Sequence, residues 1–459
     1  MTSRYGSVTL ALAVLSGAAA ARGWAQDTTH ALEQGVRVGI TYTPGVRPGM
    51  LLLGGPSQAL LDSVRTIVGR DLDYSDRFEM ISLPGTDSLT LGITALAAPA
   101  APTSHTTEAG AFINYPLYEA LGADYTVSVV QPPAAAAAVA VYDVKGRALL
   151  KLVPVAVTGV SDPGFRMAVH RASDEIIRIA AGTPGMAASR VLYLQGGRIY
   201  RVDADGADPV PLTPVGAKMF SPAWMPDDQH MVYTQLRQGL GAIYVQDLTT
   251  GRRDIVPPTG ELLNYAAAVS PDGRTLAFAR NTDEGAHLYS YNLGEHCCLQ
   301  RLTTGRFSDN LSPTFSPDGR RIAFVSTRAG SPQIYVMSAD GTDQQLFAPF
   351  DYGVTGSSYA PDWSPDGLHV AFHREVAGAY QVFVMDVASR TVRQLTSEGS
   401  NEDPTWAPDG RHLAFASTRT GVRQIWVMDL DTGRVRQLTR QEGARLPSWS
   451  PRLGDTTNH

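Results

Sequence analysis

The sequence predicts a six-bladed β-propeller preceded by a small α/β domain, and three observations carry that expectation. A Trp-Ser-Pro-Asp-Gly-like unit returns six times, a short apolar strand follows it each time, and the region before the repeats mixes helical and strand periodicity. The chain has 459 residues, of which 43% are hydrophobic and 18% charged, and a formal net charge of −6. Its 44 Gly and 30 Pro suit a turn-rich β protein. With 38 basic against 44 acidic residues, no sequence-wide positive field exists to hold nucleic acid.

The first residues read as an export signal. Arg4 supplies the charge, Val8 to Ala21 form a short apolar run, and Gly23-Trp24-Ala25 offers a cleavage site before Gln26. The run is shorter than the ~20 residues of a membrane span. No Cys stands where a lipoprotein would be acylated, so a soluble exported protein is expected. The expected organisation is a signal over 1–25, an α/β domain over 26–185 and a propeller over 186–455.

In the α/β region, Ala59–Asp73 and Phe165–Ile179 have helical periodicity, and Tyr125–Val130 and Leu149–Val157 read as strands. The Ala-, Pro- and Thr-rich stretch Ala97–Ala111 reads as a mobile loop. Gly182-Thr183-Pro184-Gly185 ends the second helix.

The repeat prolines are Pro226, Pro271, Pro317, Pro365, Pro408 and Pro451, at steps of 43 to 48 residues. Pro-Asp-Gly is a tight turn, in which Pro presets φ and Gly takes positive φ. An apolar strand follows, starting at Val191, Met231, Leu276, Ile322, Val370 and Leu413. Val191 lacks its own inner strand and Trp449 lacks its followers, so joining the two ends completes the sixth blade and removes exposed sheet edges.

Several residue groups invite a chemical reading. Cys297-Cys298, beside His296, is either a structural pair or a vicinal disulfide; adjacent residues are poorly spaced for zinc. His230, His369 and His412 occupy one equivalent repeat position, shared with Thr275 and Arg321, and so read as a tolerant exposed site on separate blades. No Gly-x-Ser-x-Gly motif is present. Neither a cofactor nor a bound metal is expected.

Loops that enter the inner strands are held by the scaffold and carry polar and aromatic side chains, the usual place for binding residues. They are Leu263-Asn264-Tyr265, Asp309-Asn310-Leu311-Ser312, Ser357-Ser358-Tyr359, Asn401-Glu402-Asp403 and Arg445-Leu446. The neighbouring turns place Arg237, Arg328, Arg374 and Arg419 on the same face. These form either a guanidinium ring for an acidic partner or structural pairs with Asp309, Glu402 or Asp403.

Motifs outside the repeats narrow the choice. Gly35-Val36-Arg37-Val38-Gly39-Ile40, Ala120-Leu121-Gly122-Ala123-Asp124-Tyr125, His170-Arg171-Ala172-Ser173-Asp174-Glu175 and Leu446-Pro447-Ser448-Trp449-Ser450-Pro451 resemble the TolB family of periplasmic propellers of the Tol–Pal envelope system. The resemblance implies a non-catalytic adaptor, acting as a monomer in envelope maintenance and cell division. It implies that Leu263, Asn264, Tyr265, Asp309, Asn310, Leu311, Ser312, Asn401, Glu402 and Asp403 meet a Pal-like lipoprotein. It also implies that Val36, Arg37, Val38, Gly39 and Ile40 engage a TolA-like inner-membrane protein, and that in some bacteria colicins use the propeller face for import; by its alternating pattern alone, Val36–Thr41 is either a terminal strand that adds to a partner's sheet edge or the first strand of the α/β domain. Where the family commonly has His, this chain has Leu263. Two alternatives share the repeats: an exported propeller enzyme acting on glycans or peptides in its channel, and a generic exported scaffold.

Overall fold

A computed structural model describes residues 47–55, 57–82, 113–237, 240–257, 263–348 and 356–454. The expected signal, the Val36–Ile40 segment and the Ala97–Ala111 loop lie outside the described residues.

The α/β part is a five-stranded sheet, ordered β2-β1-β3-β4-β5, built from β1 (Gly49–Leu52), β2 (Glu79–Ile81), β3 (Tyr125–Val130), β4 (Ala137–Asp143) and β5 (Ala148–Val155). β1 pairs parallel with β2 and β3, and β3 to β5 run antiparallel. Helices α1 (Ala59–Tyr74) and α3 (Phe165–Ala181) bury Leu61, Val64, Val68, Val169 and Ile176 against Val127, Val139 and Val141. Each apolar residue recurs at helical spacing, so one stripe faces the sheet. The opposite sheet face is covered by Tyr115 and Tyr118 of the short helix α2 (Tyr115–Ala120). Both long helices lie where their periodicity places them. The Ala-rich run before Asp143 is the buried strand β4, between β3 and β5, whose Val139 and Val141 face the two long helices. Gly182 ends α3 in the left-handed conformation, φ 68°.

Six four-stranded antiparallel sheets follow. The first blade comprises Lys218–Trp224, His230–Arg237, Leu240–Asp247 and Arg253–Ile255; the second Asn264–Val269, Thr275–Thr282, Gly285–Asn292 and Cys297–Arg301. The third comprises Asn310–Phe315, Arg321–Ser326, Gln333–Ser338 and Gln345–Leu346; the fourth Ser358–Trp363, His369–Val376, Ala379–Asp386 and Val392–Gln394. The fifth comprises Asn401–Trp406, His412–Ser417, Gln424–Asp429 and Val435–Gln437. The closing blade joins the two ends: Arg445–Trp449 pairs with Arg190–Gln195, followed by Arg198–Asp203 and Val210–Pro211. Trp449 lies opposite Val191, and its indole Nε1 donates to Ser189 Oγ at 2.7 Å.

The repeat motif has a local cause. In Ser-Pro-Asp-Gly, the Ser316 hydroxyl donates to Asp318 and accepts the Arg321 amide at 3.0 Å, while the Gly319 amide returns to the Ser316 carbonyl at 2.8 Å. Ser270 and Ser364 make the same contacts. Gly319 sits at φ 69°, which a side chain would oppose.

All six inner strands carry a β-bulge at one position. Ser221, Ala266, Ser312, Ala360, Asp403 and Leu446 all have positive φ, between 46° and 54°, and the ladder to the second strand shifts register there. Pro follows the bulged residue in five of the six, where no ladder hydrogen bond is required. Beyond the bulge a belt ties blade to blade. Asp362 Oδ2 accepts the Trp406 amide at 2.9 Å, Thr405 Oγ1 the Trp449 amide at 3.2 Å, and Ser448 Oγ the Trp224 amide at 3.3 Å. The tryptophans themselves fill the seams: Trp406 packs with Ala371 and Val384 of the fourth blade and Leu413 of the fifth.

Candidate functional site

Strand direction divides the propeller loops between two rims. Turns joining first to second and third to fourth strands lie on one rim. Turns joining second to third strands, and loops entering the next inner strand, lie on the other.

The α/β domain occupies the first rim. Arg434, from a third-to-fourth turn, reaches Asp73 at 2.8 Å and Asp76 at 3.2 Å, and Arg411 donates to the Asp76 carbonyl at 3.1 Å. Arg436 stacks over the Tyr74 ring at 4.3 Å. On the closing blade Asp203 and Asp205 receive Arg166 from α3 at 3.1 and 2.6 Å, and Arg70 from α1 also pairs with Asp205.

Two histidines are buried at this junction. His412 Nδ1 contacts Asp409 at 2.7 Å, with Nε2 at 3.5 Å from both Asp76 and Asp429. His170 Nδ1 contacts Asp71 at 2.8 Å. Burial alone would lower both imidazoles; the carboxylates outweigh it and hold both above the ordinary 6.5. The equivalent position of the repeat is therefore not uniformly exposed. His230 is half-buried on the first blade and pairs with Asp227 at 2.7 Å, whereas His412 is buried. Both occur where the turn lacks its serine: Met225 and Ala407 stand in the place of Ser316, and the histidine three residues after Asp takes up the free carboxylate. His369, on a blade that keeps Ser364, makes no such pair.

Three groups of ligating atoms exist among the described residues. In Asp71–His170–Asp205, Arg70 and Arg166 already hold Asp205; in Asp76–His412–Asp429, Arg411 holds Asp429. One carboxylate of each buried group is thus already neutralised by arginine. The third is Glu295 with Cys297 and Cys298, which are joined to each other as a vicinal disulfide on the exposed outer strand of the second blade.

The second rim holds the loops read from sequence. Their side chains divide into two sets. Asn264, Asn310 and Asn401 are buried and turned into the blades, with Ser358 in the equivalent place. Each accepts a guanidinium: Arg280 to Asn264 at 2.8 Å, Arg328 to Asn310 at 3.1 Å, Arg374 to Ser358 at 2.9 Å and Arg419 to Asn401 at 3.3 Å. Each guanidinium also lies over two rings of its own blade, as Arg419 does over Phe415 and Trp426 at 5.3 and 5.0 Å. The arginines read as a ring for an acidic partner are therefore committed to their own blades in Arg328, Arg374 and Arg419. The side chain of Arg237 lies outside the described residues. Arg280 is a fourth member of the set that the sequence reading passed over.

Asp403 is also turned away from the loop tips. Its amide donates to His373 Nδ1 at 3.0 Å, and burial pushes its carboxyl up to about 6. Glu402 is held by Arg423 at 2.6 Å, and Leu311 packs between blades. Leu263 and Ser312 are half-buried. Asp309 is exposed, with Oδ1 accepting the Ala286 amide at 2.9 Å. Tyr265 donates to Asn281 at 3.1 Å, and burial with the nearby Asp309 charge pushes its phenol up to about 12. Asp309 and Tyr265 form one patch; Glu402 and Asp403 lie two blades further round.

The same rim shows apolar side chains to solvent. Phe307 is 90% exposed and Val215 80%, both in loops entering inner strands, against 58% for the next large apolar residue, Leu368 on the other rim. Leu240, Val376 and Val422 stand exposed at the second-to-third turns.

The architecture defines a propeller scaffold with an α/β domain docked on one rim. The family model described as the TolB beta propeller domain matches residues 180–350 and 352–457, and the chain belongs to that family. Among curated relatives, the Tol-Pal system protein TolB of Bordetella pertussis is 31% identical over 211 residues, 44% of this chain and 48% of that protein. Its counterpart in Bordetella parapertussis is 30% identical over the same length. The chain thus spans about half the length of the curated relatives it matches. The crystal structure of TolB from Acinetobacter baumannii superposes with a TM-score of 0.71 at 25% identity, covering 89% of this chain and 98% of that one. Among the described residues no helix is long and apolar enough to cross a membrane.

Proposed function

We propose that this chain is a non-catalytic periplasmic adaptor of the Tol–Pal system. Its open rim docks a Pal-like outer-membrane lipoprotein, and Val36–Ile40 engages a TolA-like inner-membrane protein, linking envelope layers during division. In this reading residues 1–25 are removed on export near Ala25, 26–185 form the docked domain and 186–455 the propeller. The supporting observation is the asymmetry of the two rims. One is committed to the α/β domain through Asp73, Asp76, Asp203 and Asp205, and the other presents Asp309, Tyr265 and the exposed apolar residues with no cover from the described residues. The names of the Bordetella relatives support the assignment to the Tol–Pal system.

The test is direct binding of the purified mature chain to the soluble domain of the Pal-like lipoprotein encoded in the same genome. Saturable binding is expected, weakened by Asp309→Lys and unchanged by a charge change at Asp431 on the opposite rim. No binding at physiological salt would remove this reading.

A further inference from the structure

The open rim contains one side chain whose display has no benefit for the fold. Phe307 has its ring 90% exposed and its backbone at φ 58°, a conformation that a bulky side chain disfavours. Strain and an exposed aromatic ring both oppose the folded chain, yet the surrounding frame enforces them. The Phe307 amide donates to the Glu284 carbonyl at 2.8 Å, and the Glu284 carboxylate is held by Arg301 at 2.9 Å and Arg306 at 3.6 Å. On its other side, the carbonyl of Ser308 accepts Asn310 Nδ2 at 3.3 Å, and Asn310 is buried in the third blade. The ring thus stands at the wall of an open cleft lined by Thr282, Asp283, Glu284, Arg301 and Arg306, two residues from Asp309.

The six bulged residues of the inner strands have the same backbone conformation within the sheets, whereas at Phe307 it displays a bare ring to solvent, and aromatic side chains are enriched among the anchors of protein interfaces. A loop whose backbone is already fixed in place loses little freedom on docking. We infer that Phe307 is the anchor residue of the open rim: it enters an apolar pocket on the folded domain of the Pal-like lipoprotein, with Arg306 beside it meeting a carboxylate at the pocket's edge. The inference rests on the adaptor reading above and adds the residue that sets affinity.

The experiment measures binding of the lipoprotein's soluble domain to the mature chain and to its F307N and F307W variants, together with the melting temperature of each. Asn tolerates left-handed backbone and removes the ring. F307N is expected to weaken binding about tenfold or more with no fall in melting temperature, and F307W to stay within about threefold of the unmodified chain. Binding by F307N within about twofold of the unmodified chain, while the latter binds normally, overturns the anchor and leaves the adaptor reading standing. A photo-crosslinking residue at position 307 in living cells separates the remaining cases. A crosslink to the lipoprotein supports the anchor. A crosslink to a different identified envelope protein, lost when the unmodified chain competes but not when F307N does, retains the anchor and overturns the lipoprotein; no crosslink overturns the anchor itself.

Discussion

His412 of the fifth blade and Asp76 of the α/β domain face each other across the junction, imidazole Nε2 to carboxylate Oδ2 at 3.5 Å. The reciprocal pair lies on the closing blade, where His170 of α3 stands 3.9 Å from Asp203 and Asp205. Each histidine is held through Nδ1 by an aspartate of its own domain, Asp409 or Asp71, and turns its other nitrogen toward the partner domain. Each junction also contains arginine: Arg411 beside His412, and Arg166 near His170 with Arg70 on Asp205.

The first prediction follows from the sign of those shifts. Both imidazoles sit above 6.5 in the folded chain, so their contribution is complete below the unfolded value and is lost as pH rises through the folded one. The melting temperature is expected to fall as pH rises from 6.5 toward 9. Asp174, pushed up to about 7 by burial against the opposing Ala187 and Ala188 amides and Arg452, loses stability in the same direction, but between 3.8 and about 7. The range above 7 therefore isolates the histidines. His412→Gln should lower stability by about 3 kcal/mol at pH 6, because buried carboxylates lose their cation, and flatten the slope above pH 7. A level profile for the unmodified chain between pH 7 and 9 would refute the pairing of these histidines with carboxylates across the junction.

How far the sequence reached depends on the range of the interaction. Pro-Asp-Gly turns, blade number and closure through Trp449 are legible because each is local or repeated. His412 is not, since its environment depends on Ala407 replacing a serine and on Asp76, in contact with Arg411 across 335 residues of sequence. Asn264, Asn310 and Asn401 misled for another reason. Asn near a turn suggests exposure, whereas here it accepts an arginine 16 or 18 residues onward. That recurring spacing was present in the sequence and is the signal that identifies the buried set. The exposed Phe307 had no such mark, because neither its strained backbone nor its bare ring leaves a pattern in residue types.

The second prediction concerns the inner belt. Burial pushes the Asp362 carboxyl up to about 6, while the Trp406 amide and Thr405 and Thr314 hydroxyls oppose the shift. Its folded value exceeds the ordinary 3.8, so stability from this group declines between pH 3.8 and about 6. Asp362→Asn keeps an oxygen to accept the Trp406 amide and removes the buried charge; at pH 7 it should be neutral or stabilising. Asp362→Ala strands that amide and should cost about 1–3 kcal/mol. Denaturant unfolding of the two variants at pH 7 gives the comparison, and equal losses would place the belt outside the energetics of blade packing.

A third prediction separates stacking from charge at Arg419. Its guanidinium bonds Ser417 at 3.0 Å and Asn401 at 3.3 Å while lying over Phe415 and Trp426. Arg419→Ala should cost about 1–2 kcal/mol, combining the ring contacts with an Asn401 acceptor left without its donor. Arg419→Lys retains charge but neither the planar fork nor the ring overlap, and should recover less than half of that loss. Full recovery by Lys in equilibrium unfolding would reduce the constellation to simple charge pairing.

The closing blade gives the last prediction. Residues Arg445–Trp449 supply its inner strand, the Arg190 amide donates to Ser450 Oγ at 2.9 Å, and the Leu453 amide returns to the Ala188 carbonyl at 2.8 Å. Without them, Arg190–Gln195 becomes an open edge with unpaired backbone groups, and the seam between the fifth and closing blades loses Trp449. Deleting residues 445–459 should abolish the single cooperative transition and promote association through the open edge. Trp449→Ala, which keeps the strand but empties the seam and frees Ser189, should retain cooperative unfolding at a cost of about 3–5 kcal/mol. Calorimetry and light scattering distinguish the two effects. A truncated chain that melts cooperatively as a monomer would show that the propeller holds its ring without the strand contributed from the C-terminal end.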